Sequence, residues 1–148
     1  MKESMNIGNI FSHDKKFQSI MRNMLQTTLD ISFDGVMITE AAPGYPIVYV
    51  NPSLCAMTGY DFDEFLGQSP AMLQGAQTDQ RVLDELKQKI EAGKIFHGKT
   101  KNYRKDGSEF IMEWKIVPIH DADDNISHYL AVQRELSEDT IDFAAVDT

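Results

Sequence analysis

The side chains able to do acid–base, nucleophilic or metal chemistry are scattered along this chain. His13, His97, His120 and His128 show no HxxxH or HxxH spacing, so no zinc site is expected. Cys55 is the single cysteine. It excludes an intramolecular disulfide framework, and beside Met57 it reads as a small buried apolar residue. Asp121, Asp123 and Asp124 resemble a fragment of a calcium loop, but without its glycine and its bidentate glutamate. Asp61, Asp63 and Glu64 stand where helix caps and surface carboxylates belong. There is no nucleophile–base pair and no glycine loop to cradle a phosphate. The expectation is therefore that the chain is not an enzyme.

The elements that must position any site follow from hydrophobic spacing. Phe17, Ile20, Met21, Met24, Leu25 and Leu29 draw a helical stripe over His13 to Leu29, with Ser12 and Asp14 as capping groups. This stripe suits packing on the chain's own core or a dimer seam equally. Ser32 to Glu40 reads as a strand after the turn Asp34-Gly35. The two prolines and the glycine of Ala41 to Pro46 turn the chain into a second strand, Ile47 to Val50. Asn51-Pro52-Ser53 caps a short helix ending at Thr58, with Gly59 as its stop, and Asp61 caps a further turn ending at Gly67. Thr78 to Ala92 is a longer helix, with Val82, Leu83, Leu86 and Ile90 on its apolar face. Three strands follow: Ile95 to Arg104, Glu109 to Ile119 and Ile126 to Arg134. The first two are joined by the hairpin turn Lys105-Asp106-Gly107. Phe110, Met112, Trp114 and Ile116 share one face of the middle strand. The order of strands and short helices is an α+β pattern. It divides into an N-terminal helix over residues 1–30, a core over 31–135 and an acidic tail over 136–148.

Composition narrows the function classes. With 148 residues, 42% of them hydrophobic and 25% charged, one globular domain is expected. The net charge of −9 argues against nucleic acid and anionic lipid as partners, since both need clustered Lys and Arg. The chain has no apolar run of membrane-spanning length, and its first residues lack the layout of a signal peptide. A cytoplasmic location is expected.

Two strands, a run of short helices and three antiparallel strands resemble a PAS domain. Tyr49-Val50-Asn51, Met57-Thr58-Gly59-Tyr60 and Glu64-Phe65-Leu66-Gly67 look like the early PAS core. The segment Gly67-Gln68-Ser69-Pro70-Ala71-Met72-Leu73-Gln74-Gly75 occupies the place of the light-oxygen-voltage (LOV) signature Gly-Arg-Asn-Cys-Arg-Phe-Leu-Gln-Gly. Gln77-Thr78-Asp79, Asn102-Tyr103-Arg104-Lys105-Asp106-Gly107, Pro118 and Val132-Gln133 follow in LOV register. The resemblance spans Ile31 to Glu135. It implies a five-stranded antiparallel sheet with short helices on one face, flanked here by the N-terminal helix.

The resemblance also implies a flavin, FMN in the family, with FAD or riboflavin as alternatives. A flavin ring has a flat apolar body and one hydrogen-bonding edge, which call for apolar walls and a few amides. Asn102 and Gln133 match family residues that read this edge. Gln74 matches a contact near the ribityl chain and phosphate, and Thr39 a residue lining the pocket. Leu73, Leu83, Leu86, Ile90 and Ile116 match the apolar wall. The departures are as specific. The family cysteine, which attacks the flavin after blue light, is Pro70 here, so no adduct can form at this position. The neighbouring asparagine is Ser69. Of two phosphate-binding arginines, one is Ala71 and the other Lys87, which keeps charge but loses the bidentate fork. A second edge-reading asparagine is Met112, a wall phenylalanine is Trp114, and a small glycine near the ring edge is Ala131. Trp114 reads either as core packing or as an electron donor to excited flavin, with Tyr49, Tyr60 and Tyr103 as contributors. Haem-binding PAS domains take an axial histidine from the long helix, which has none here; His97 lies just beyond it.

These features support a flavin-binding sensory domain for blue light or redox state that works without an adduct. Its output is expected through a homodimer contact or a downstream signalling protein, since no effector segment follows Glu135. The alternative is a flavin-free PAS domain, its pocket filled by Met112 and Trp114, serving small-molecule binding or dimerisation. An electron-transfer flavoprotein is the third reading.

Overall fold

The computed structural model describes Asn6, Ile7 and residues 16–137. The capping groups Ser12 and Asp14, the start of the first helix at His13 and the acidic tail from residue 138 on lie outside the described residues. The chain divides into two compact units, one ending at Ser32 and the other beginning at Phe33.

The first unit carries helix α1, Phe17–Ile31. The expected stripe is present: Phe17, Ile20, Met21 and Leu29 are half-buried, while Met24 and Leu25 are exposed. None of its residues is fully buried. The helix runs two residues past the expected end. Its surface is secured by a hydrogen bond from Gln26 Nε2 to Asp30 Oδ1 (2.9 Å), an i,i+4 pair.

The second unit is an antiparallel five-stranded sheet with short helices, an α+β fold. Its elements are β1 (Gly35–Glu40), β2 (Ile47–Val50), α2 (Pro52–Thr58), α3 (Phe62–Phe65), a 3₁₀ turn (Pro70–Leu73), α4 (Gln80–Glu91), β3 (Phe96–Tyr103), β4 (Glu109–His120) and β5 (Ile126–Leu136). The strand order is β2-β1-β5-β4-β3. The last strand in the sequence therefore lies at the centre, paired with β1 on one side and β4 on the other.

Strand alternation decides what faces the core. On β4 the inward set is Phe110, Met112 and Trp114; on β5 it is Tyr129, Ala131 and Gln133. Ile47, Val50, Leu54, Phe65, Leu73 and Phe96 complete the core. Asn51 does more than cap α2. It is fully buried; its Oδ1 accepts from Val36 N (2.7 Å) and Leu54 N (3.2 Å), and its Nδ2 donates to Asp34 O (3.0 Å). One side chain thus ties α2 to the start of β1.

The first strand begins at Gly35, three residues later than the sequence suggests, because α1 continues to Ile31 and Ser32 is its C-cap. Gly35 is the first residue of the strand rather than part of a turn. A Cβ there would lie 2.9 Å from Leu54 Cδ1, so the close approach of α2 explains the glycine. Helix α4 starts two residues later than expected, because Thr78 and Asp79 are used as tethers. Thr78 Oγ1 donates to Lys101 O (2.8 Å), and Asp79 N donates to Thr100 Oγ1 (2.7 Å). Asp79 is the N-cap.

Candidate functional site

A cavity of about 440 Å³ lies between the inner face of the sheet, the 3₁₀ turn and α4. That is within the range of sites for small organic ligands. Strand alternation supplies one wall: Asn102 from β3, Met112, Trp114 and Ile116 from β4, and Ala131 and Gln133 from β5. Helix α4 faces them with Leu83, Leu86, Lys87 and Ile90, one helical stripe. The 3₁₀ turn and its flanks add Ser69, Pro70, Leu73 and Gln74, and β1 adds Thr39. The structure thus brings together every side chain that the sequence marked for a pocket. Met112 and Trp114 line the cavity without filling it. Trp114 also packs on Phe96, with ring centroids 5.3 Å apart.

The polar groups of the cavity differ in how they are satisfied. Gln133 is 5% exposed, and its Oε1 is buried with no hydrogen-bond partner among the described residues. Such an oxygen costs about 1–3 kcal/mol unless something donates to it. Its strand neighbours are Gly35 on β1 and Trp114 on β4. Asn102 is also buried. With its amide nitrogen turned towards the backbone it donates to Lys101 O (3.1 Å) and Leu73 O (3.3 Å). The opposite orientation offers only Met112 Sδ at 3.2 Å, a weak acceptor, so the two carbonyls define the better arrangement. Asn102 then joins β3 to the 3₁₀ turn. Ser69 accepts from Ala71 N (3.2 Å) as the N-cap of that turn.

Several lining residues were not marked by the sequence. Tyr45 and Tyr129 meet edge to face, with ring centroids 5.9 Å apart, and Met37, Gln80 and Asp84 complete the lining. Tyr129 lies two and four residues before Ala131 and Gln133, so strand period alone would have found it. Its hydroxyl donates to Ile90 O (3.3 Å), and burial, followed by the nearby Tyr45, raises its pKa above the usual phenol value. Tyr45 adopts a left-handed backbone (φ 49°) inside the turn between β1 and β2, which no periodicity foretells.

Other residues singled out in the sequence lie elsewhere. Tyr49, Tyr60 and Tyr103 are not in the cavity lining. Tyr49 packs on Phe62 and Tyr60 on Phe65, and Tyr103 accepts from Gln77 N (2.8 Å). Cys55 is half-buried against the core rather than fully buried, and desolvation, with the nearby Asp61, raises its thiol pKa. Asp61 and Glu64 form a capping box on α3. Asp121 accepts from the backbone of Asp123 and Asn125 within its turn. Among the described residues no group of histidine, cysteine and carboxylate side chains is placed to hold a metal, and no helix is long and apolar enough to cross a membrane.

Comparison with known proteins places this geometry. A sequence profile of the PAS domain matches residues 34–138. The solved light-state structure of the blue-light photoreceptor Aureochrome1 LOV superposes with a TM-score of 0.73 at 32% identity, covering 84% of this chain and 95% of that one. The chain is a PAS domain of the LOV type. A second solved LOV domain, from work on its mechanism with a flavin analogue, gives a TM-score of 0.75 at 29% identity, covering 87% and 93% of the two chains. The bacterioopsin transcriptional activator of Halobacterium salinarum is 36% identical over 118 residues, which is 79% of this chain and 18% of that protein. The LOV domain described here thus spans less than a fifth of that relative. Pro70 is the first residue of the 3₁₀ turn.

Proposed function

We propose that this LOV domain binds a flavin in the cavity and senses blue light or redox state without forming a covalent bond to it. One observation carries the reading. A nearly buried glutamine at the centre of the sheet presents an unpartnered carbonyl oxygen to a cavity with otherwise largely apolar walls. A ligand with a flat apolar body and a hydrogen-bonding edge supplies the missing donor. The apolar stripe of α4 and the inner face of β4 suit its body. A bound flavin supplies the absorption and the electron chemistry; the protein holds, orients and reports.

The reporting residue is Gln133. Its amide can accept through Oε1 or donate through Nε2. When its partner changes from donor to acceptor, the amide reverses. Because β5 is hydrogen-bonded on both edges, a change at Gln133 is felt by β1 and β4 together. The signal leaves along β5, towards a dimer contact or a partner protein. Pro70 has no nucleophile, so the response rests on hydrogen bonding alone.

A flavin-free PAS scaffold is the second reading. It is favoured by the use of Asn102 to join backbone carbonyls and by the thioether of Met112 beside it. The test is spectroscopic. The domain is expected to absorb in the blue flavin band, and Gln133→Leu to keep that band while losing the light- or redox-driven change in hydrogen exchange along β5. An unchanged response in Gln133→Leu removes the mechanism; a domain that takes up no flavin selects the scaffold.

A further inference from the structure

The charges around the cavity are few, and they balance. Lys87 is the only cation among the lining residues, and it makes no ion pair among the described residues. Asp84 lies one turn before it on α4 and is the only carboxylate in the lining. Asp84 Oδ1 accepts from Gln80 Nε2 (2.9 Å), another lining residue. Ala71 and Gln74 stand opposite, on the 3₁₀ turn and its C-cap. None of the three arginines of this unit reaches the cavity. Arg81 pairs with Asp79, Arg104 with Glu135 and Arg134 with Asp34.

Resting on the flavin reading above, we infer that this site takes a flavin whose side chain ends as a neutral polyol, riboflavin, in preference to the phosphate-bearing FMN and FAD. The rim carries the amides of Gln74 and Gln80, the Asp84 carboxylate and the Lys87 ammonium, which together can accept from and donate to hydroxyls. A carboxylate accepts a hydrogen bond from a hydroxyl but repels a phosphate dianion. Tight phosphate recognition needs a guanidinium fork or several backbone N–H groups converging on the anion. Here a single flexible ammonium is offset by Asp84 a turn away, and Ala71 contributes only a methyl. The −9 net charge of the chain opposes a dianion further at low salt. Ala71, Asp84 and Lys87 are all exposed at the rim, so substitutions there leave the core untouched.

The test titrates the full chain, freed of any bound ligand, with riboflavin, FMN and FAD, following the quenching of flavin fluorescence. Riboflavin is expected to bind more tightly than FMN and FAD. Ala71→Arg with Asp84→Asn is expected to raise FMN affinity tenfold or more relative to riboflavin, with a gain that shrinks in high salt. FMN or FAD binding as tightly as riboflavin, or more tightly, to the unsubstituted chain overturns the inference and leaves the flavin reading intact. Binding of none of the three overturns both. A double variant that gains nothing for FMN shows that charge at this rim does not select the ligand, and overturns the inference as well.

Discussion

Two buried side-chain amides in this domain have opposite fates. Asn51 is satisfied at both ends by backbone groups of α2 and β1, and it belongs to the architecture. Gln133 keeps an oxygen unpaired beside a cavity, and the proposed function rests on it. Asn51→Ala strands two buried N–H groups, at Val36 and Leu54, and is expected to lower unfolding stability by about 2–4 kcal/mol in denaturant titrations. Gln133→Leu is expected to cost little or to stabilise, because it removes an unsatisfied polar atom. Asn51 was legible in the sequence as a cap before Pro52, but its reach to β1 was not, because that bond crosses fifteen residues of chain. The inward direction of Gln133 follows from its spacing to Tyr129 and Ala131. The absence of a partner for it depends on what three other strands bring near.

At the scale of elements, the loop from Gln74 to Asp79 decides how the 3₁₀ turn meets α4. Gly75 lies under the ring of Tyr103; a Cβ there would sit 2.3 Å from Tyr103 Cε2. Gly75→Ala must push that ring aside and break its bond from Gln77 N, so a loss of about 1–3 kcal/mol in thermal or denaturant unfolding is expected, together with weaker ligand uptake. A second clasp joins α3 to the β3–β4 hairpin, where Lys105 Nζ pairs with Glu64 (2.8 Å). The hydrogen bond from Lys105, then that from the Asp61 backbone, lowers the Glu64 pKa below its usual 4.5. A lowered carboxylate pKa means that this contribution is complete above pH 4.5 and is lost as pH falls through the folded-state value. Glu64→Gln is therefore expected to be less stable than the parent chain at neutral pH and to match it in acid, in unfolding curves recorded across that range. The strands and the two longer helices were legible from spacing and α2 from its caps, whereas α3 was expected only as a turn and the 3₁₀ turn was not expected. The boundaries moved where side chains such as Thr78 and Asp79 bonded to another strand, or where Gly35 met Leu54, contacts that local spacing does not encode.

For the whole molecule, topology supplies the route that the proposed adduct-free sensing needs. The last strand among the described residues is the central strand of the sheet, so Gln133, which faces the cavity, lies on a strand paired with both β1 and β4. The α+β order and the five strands could be read from the sequence, because alternation and turn chemistry dictate them; the marked pocket residues came from the LOV resemblance, which left Met37, Tyr45, Gln80, Asp84 and Tyr129 unmarked. The Tyr45–Tyr129 contact and the charge balance of Asp84 and Lys87 needed the folded arrangement, since they join a turn, a strand and a helix far apart in the chain. The most direct test of the central claim is to denature the purified protein and identify what is released. A flavin in near-equimolar amount is the predicted result. Release of no flavin, with no visible absorption gained on incubation with riboflavin, FMN or FAD, contradicts the account.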